Sequence, residues 1–200
     1  MGQRLVVTIT KNEKELAAIY YHWSAYTYNA LLETRDIINC IYNSSDETEE
    51  EMLLRLVKFC YENGGGISGG GGERDYISAL YPNETFAKEG YSRNNGLIAL
   101  SKDGIQDLQS WSEGDVFIQL DSDTVDFCVY SGYESLDEYI EERKSWDEDF
   151  EAPTLEGIPT LDCRLGFFEV NDIDYIIDRV DSVGNEYLIN CGGEICELIA

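Results

Sequence analysis

The stretch that most limits the fold is "DVFIQLDSDTVDFCVY", Asp115 to Tyr130. Val116, Ile118 and Leu120 alternate, as do Val125, Phe127 and Val129 after a short turn at Ser122-Asp123. A period of two puts one side of each strand in a core, and so short a turn joins the strands antiparallel. This is a β-hairpin with one buried face. "RLVVTIT" (Arg4 to Thr10) reads as an opening strand because β-branched residues dominate it, and "GLIAL" (Gly96 to Leu100) reads as another. Later, "CRLGFFEV", "YIIDRV", "EYLIN" and "EICELI" read as strands, with "DSVGN" a turn between the middle two.

The helical signal lies mostly before that hairpin. Asn12 with Glu15 three residues on forms a capping box, and no Gly or Pro follows until beyond Tyr42, so one long helix is expected. Leu16, Ile19, Tyr20, Trp23, Tyr26, Thr27, Ala30, Leu31, Ile37, Ile38 and Ile41 would share its core-facing stripe. Tyr21, Ala25, Tyr28 and Leu32 would form a second apolar line, free for a partner or for self-association. A second helix is expected from about Glu47 to Glu62, with acids in its first turn, Asn63-Gly64 as its stop and Met52, Leu53, Leu56, Val57, Phe59 and Cys60 inward. The two helices would pack as an antiparallel hairpin. "DYISALY" and "NETFAKEG" read as short helical pieces, Ser101 as the cap of another, and Ser135 with Glu138 as a capping box opening a helix to about Ser145. The expected class is α+β: an N-terminal strand and long helical hairpin, then a mainly antiparallel sheet with one or two short helices.

Between the halves, seven of the nine residues Gly64 to Gly72 are glycine. Gly64, Gly66 and Gly69 match a dinucleotide fingerprint, which requires a strand before it and a helix N-terminus after it. A helix is expected before it, and no Lys-Ser or Lys-Thr follows. The reading is therefore a flexible loop over 64–74, between a strand-plus-hairpin segment 1–63 and an acidic α/β segment 75–200, which the sequence leaves free to be one domain or two.

Charge narrows the function classes. The formal net charge is −26, with 14 Asp/Glu against 9 Lys/Arg in residues 1–100 and 26 against 5 in residues 101–200. Such a field repels nucleic acid and anionic membrane and steers toward basic surfaces or cations, or it serves solubility alone. No 18-residue apolar run is present, and the start "MGQRLVVTITKN" lacks a signal-type apolar region, so a cytoplasmic protein without a membrane partner is expected. The six cysteines include no CxxC pair and are read as small, reduced hydrophobes.

Catalytic constellations are not legible. His22 is the single histidine, so any Ser-His-Asp or Cys-His arrangement would have to use it; beside Trp23 it reads as a packing or rim residue. Asp121, Asp123 and Asp126 invite a Ca²⁺ or Mg²⁺ site but lack the central glycine and distal Glu of an EF-hand, and Asp and Ser are ordinary turn residues. No catalytic residue, no metal ligand and no cofactor is assigned.

What remains is the acidic run itself. From Asp121 to Glu151 there are 12 acids against Arg143 and Lys144. Asp137, Glu138, Glu141, Glu142, Asp147, Glu148 and Asp149 would present carboxylates, with Tyr139 and Trp146 as aromatic anchors of an interface. A surface with carboxylates at the density of nucleic-acid phosphates competes for the same Lys and Arg clusters. A small, strongly acidic α+β chain of this kind resembles, at the level of a class, the phage-encoded inhibitors of bacterial defence, antirestriction DNA mimics and anti-CRISPR proteins. "YSGYESLDEYIEE" is similar to an acidic segment of the ArdA antirestriction family over about thirteen residues. The resemblance implies a non-enzymatic mode: occupation of a basic surface on a CRISPR effector, a restriction nuclease or another nucleic-acid-binding protein in the (host) cytoplasm, with no direct contact to nucleic acid. The alternatives are a metal-assisted hydrolase using clustered aspartates, or a subunit of an assembly. The partner and the oligomeric state are not specified.

Overall fold

The structure, a computed structural model, describes residues 4–25, 27–42, 47–86, 92–130, 145, 162–174 and 177, without the side chains of 27, 28, 127–130, 162–169 and 172. The chain opens with an antiparallel hairpin, β1 (Leu5–Lys11) and β2 (Lys14–Tyr21). Its turn is Asn12-Glu13, both left-handed at φ 50° and 61°. Two successive positive φ values match the right-handed twist of the strands they join, which is why two-residue hairpins favour them.

This corrects the long helix. The Asn12/Glu15 capping box is a hairpin turn, and the first half of the expected helix is β2; only Thr27–Ile41 is helical (α1). The misreading has a physical cause. From Leu16 to Tyr21 every β2 residue is buried, on both faces of the sheet, so no alternation marks it as a strand. Ala17 and Ala18 add local helix preference. Three members of the apparent second apolar line are not a free surface: Tyr21 and Ala25 are buried, and Leu32 packs against the core.

After α1 come α2 (Glu49–Glu62), β3 (Gly66–Ile67), α3 (Glu73–Leu80), β4 (Leu97–Ala99), α4 (Lys102–Gln109), the expected hairpin β5 (Gly114–Gln119) and β6 (Thr124–Tyr130), and β7 (Asp162–Glu169). The strands form one sheet in the order β3-β4-β2-β1-β5-β6-β7. It is mixed rather than mainly antiparallel, because β1 with β5 and β3 with β4 run parallel. Parallel neighbours need a crossover, and here the helices between β1 and β5 supply it. The class is α+β.

Odd-numbered β1 residues (Leu5, Val7, Ile9) meet Ile37 and Ile41 of α1, Leu56, Val57 and Cys60 of α2, and Ile77 of α3 in one core. On the opposite face Val6, Ala18, Tyr20 and Ala99 pack with Ile105 and Leu108 of α4. α2 starts on a capping box: Thr48 N–H donates to Glu51 Oε2 (2.9 Å), and Glu51 N–H donates to Thr48 Oγ1 (3.2 Å). Arg55 of α2 donates to the terminal α1 carbonyls of Cys40 (2.7 Å) and Ile41 (2.8 Å), so the two helices are tied end to flank. They are 15 and 14 residues long, not the expected long hairpin.

Two further readings change. The residues of "NETFAKEG" within the described set (83–86) are not helical, and Ile177 of "YIIDRV" is helical rather than extended, with Ile173 and Ile177 one turn apart and both buried. The expected helix at Ser135–Ser145 and the strands "EYLIN" and "EICELI" lie outside the described residues, apart from Ser145, which is helical.

Candidate functional site

The expected interface residues Asp137, Glu138, Tyr139, Glu141, Glu142, Trp146, Asp147, Glu148 and Asp149 also lie outside the described residues. The described part shows how the few cations are used. Five ion pairs join Arg4 to Glu113 (2.7 Å), Lys11 to Glu49 (3.4 Å), Arg35 to Asp36 (3.2 Å), Lys58 to Glu84 (3.0 Å), and Arg55 to Glu47. Each is an intrachain pair at or near the surface, worth little in stability, but each consumes a positive charge. Exposed Glu13, Glu62, Asp75, Asp103 and Asp107 are in none of these pairs.

The aspartates at the β5–β6 turn serve the fold. Asp121 Oδ1 accepts from Asn12 N–H (3.1 Å), which binds this turn to the β1–β2 turn. Asp123 Oδ1 accepts from the Tyr42 hydroxyl (2.6 Å), which burial and the Asp123 carboxylate push well above its ordinary range. Asp123 itself sits at φ 52°, where Asp is tolerated. Among the described residues no group of three or more His, Cys, Asp or Glu is placed to hold a metal ion.

His22 lies just beyond β2 rather than on a helix stripe, and it centres an aromatic and cationic patch. Tyr20 Oη and His22 Nδ1 share a 2.6 Å hydrogen bond, and the imidazole meets Trp23 edge to face at 4.8 Å. Burial lowers its pKa, and Arg93 and Arg4 lower it further, which favours the neutral ring. Arg4, paired with Glu113, lies 5.9 Å from the Trp111 ring centroid. Trp23 and Trp111 are 45% and 54% exposed, a large apolar presentation for a chain with three tryptophans. Trp, Tyr and Arg are the residues that anchor protein interfaces. Sequence reasoning missed the patch because its members are scattered from Arg4 to Glu113 and only the sheet order joins them.

An open groove of about 610 Å³ between α1 and α2 is lined by Asp36, Asn39, Cys40, Arg55, Lys58, Phe59 and Glu62. Burial raises the Cys40 thiol, which disfavours the nucleophilic thiolate. Both cations of the groove are held in the ion pairs above.

The glycine-rich segment is not a loose loop. Gly65 to Ser68 are buried, Gly66 N–H donates to Gly96 O (2.9 Å) and Ser68 N–H to Ile98 O (2.8 Å). A Cβ on Gly71 would stand 2.6 Å from the Gly104 nitrogen, so this backbone packs directly on the start of α4. The strand–glycine–helix order that anion cradles use is thus present as β3, Gly69–Gly72 and α3. The acceptor at its mouth is internal. Glu73, 1% exposed, accepts from Leu100 N–H (2.7 Å), from Ser101 N–H (2.9 Å) and from the Ser101 hydroxyl. Ser101 Oγ in turn accepts from Gly104 N–H (3.0 Å) as the α4 cap.

No protein-family model, curated protein or solved structure matches the chain. Among the described residues no helix is long and apolar enough to cross a membrane.

Proposed function

We propose that this chain is a non-enzymatic acidic binding protein that acts in the cytoplasm by occupying the basic surface of a nucleic-acid-binding partner, such as a CRISPR effector or restriction nuclease. The observation that carries the reading is the surplus of 21 negative charges on residues 101–200. The carboxylates of Asp137, Glu138, Glu141, Glu142, Asp147, Glu148 and Asp149 form the contact, and Tyr139 and Trp146 anchor it. Exposed Trp23, and Trp111 beside Arg4, favour a protein partner, because Trp and Arg are the residues that anchor protein interfaces.

The test is a pull-down of purified CRISPR effectors and restriction nucleases at 50 and 500 mM salt, with the triple variant E138K/E141K/E142K beside the parent. Retention at low salt, loss at high salt and loss in the variant are expected, with the on-rate falling most steeply. Retention by the triple variant equal to that of the parent overturns the reading.

A further inference from the structure

Two Asn-Gly steps occur in the chain, Asn63-Gly64 and Asn95-Gly96, and both asparagines are exposed. Such a step is chemically special. Glycine has no Cβ to hinder attack of its own amide nitrogen on the preceding side-chain amide carbon, which closes a five-membered ring. The fold treats the two steps differently. At Asn63, the end of α2, the side-chain amide donates to Phe59 O (2.9 Å) and Gly64 N–H donates to Tyr61 O (3.0 Å). Leaving group and nucleophile are both held there. At Asn95 the side-chain amide rests against Gly64, its Nδ2 2.9 Å from where a Gly64 Cβ would stand. Among the described residues that amide takes part in no hydrogen bond, and Gly96 N–H donates to no acceptor. Gly96 is itself set by the fold: its φ is 98°, and a Cβ would lie 3.2 Å from the Tyr21 ring and 3.3 Å from Ile19. The packing thus requires the glycine and leaves the amide beside it unbonded.

We propose that Asn95-Gly96 is a site of spontaneous backbone modification, in which Asn95 becomes isoaspartate, lengthening the chain and loosening the fastening of β3 and of His22. The Gly96 nitrogen, having lost its proton to hydroxide, bonds to Asn95 Cγ; the Cγ–Nδ2 bond breaks, and ammonia leaves with a proton taken from water. Water then adds to the Asn95 main-chain carbonyl carbon, and the bond from that carbon to the Gly96 nitrogen breaks. The chain now runs through Cγ, one carbon longer, and the former main-chain carbonyl is a free carboxylate. The added carbon falls in a segment fastened at both ends. On one side Ser92 N–H donates to Gly64 O (2.8 Å) and His22 N–H to Arg93 O (3.0 Å); on the other Gly66 N–H donates to Gly96 O (2.9 Å). Asn95 N–H closes the turn between them onto Ser92 O (3.0 Å). A longer chain between these points shifts one anchor against the other, and the weakest element tied to them is β3, two residues at the end of the sheet. The modification does not depend on the acidic-surface reading.

The test is peptide mapping with electron-transfer fragmentation, which separates isoaspartate from aspartate. The full chain is incubated folded, at near-neutral and mildly alkaline pH, and unfolded in urea. Unfolded, the two steps convert at similar rates. Folded, Asn95 converts and Asn63 lags it by about tenfold to a hundredfold, because two hydrogen bonds must open first at Asn63. The Asn95 rate rises with hydroxide concentration. Hydrogen exchange on the converted protein shows the amides of His22, Gly66 and Ser92 losing protection by at least about tenfold. N95D, which carries the charge without the added carbon, keeps the parent's protection. An Asn95 that stays intact in the folded chain while the urea-unfolded chain converts it, or an Asn63 that converts as fast as Asn95, overturns the proposal. So does an isoaspartyl product whose three amides exchange as in the parent, or an equal loss of protection in N95D.

Discussion

Glu73 is buried and Glu33 part-buried, and their surroundings differ in kind. Glu73 meets the start of α4, where Leu100 and Ser101 offer backbone N–H groups with no helical partner of their own. Glu33 meets side-chain hydroxyls at the middle of a helix and a neighbouring carboxylate. A helix start supplies oriented donors and the positive end of the macrodipole, which replace the water that a carboxyl loses on burial. Hydroxyls near a helix middle supply neither, and the Glu33 equilibrium moves up to about 7. The two junctions thus offer a carboxyl different partners because of where helices begin.

The largest expected effect breaks the Glu73 side of this contrast. E73A leaves two buried N–H donors and the Ser101 hydroxyl without their acceptor, and it should cost about 3–4 kcal/mol, or roughly 10 °C in melting temperature. Chemical denaturation at pH 7 checks it, and a loss under about 1 kcal/mol would mean that water replaces the carboxylate. Next comes the Glu33 side. The parent should lose about 2–3 kcal/mol of stability attributable to this group as pH rises from about 4.5 to about 7, a loss that E33Q escapes. E33Q should therefore exceed the parent at pH 8 by about 2 kcal/mol and match it at pH 4; equal denaturation curves at pH 8 would refute this. Background repulsion among the other carboxylates acts on both proteins alike. The smallest effects sharpen the packing beneath Glu73. Gly71→Ala, at φ 60° and against the Gly104 backbone, should cost about 2 kcal/mol, whereas Gly69→Ala, with nothing within 4 Å of the added carbon, should stay within about 0.5 kcal/mol.

The parts of this fold legible from residues were those whose environment is one-sided. The β5–β6 hairpin shows its period because one face is core, and α2 shows its acidic first turn because that turn is in water. β2 was hidden because helices cover both of its faces. β3 was hidden because glycine carries no side chain from which burial could be read; its role is set by close approach of backbones, as at Gly65 and Gly71. The fingerprint residues Gly64, Gly66 and Gly69 follow α2, as expected, and the two-residue strand β3 lies inside the fingerprint rather than before it. Of the site, the acidic composition was legible and the patch around His22 was not, because Arg4, His22, Arg93 and Trp111 become neighbours only through strand order.

The pairing of β1 with β5 carries a consequence for synthesis. Leu5 finds its parallel partner at Gly114, 109 residues later, while its other edge closes at once through the Asn12-Glu13 turn. At translation rates of about 5–20 residues per second, a hydrophobic strand edge waits roughly 5–20 s on the ribosome before its neighbour emerges. Over that interval the nascent chain offers an unpaired template of Leu5, Val6, Val7 and Ile9, the kind of edge that recruits other chains. The dense negative charge that follows in the sequence arrives only after this exposure ends, so the hazardous stage of the protein's life is its first hundred residues.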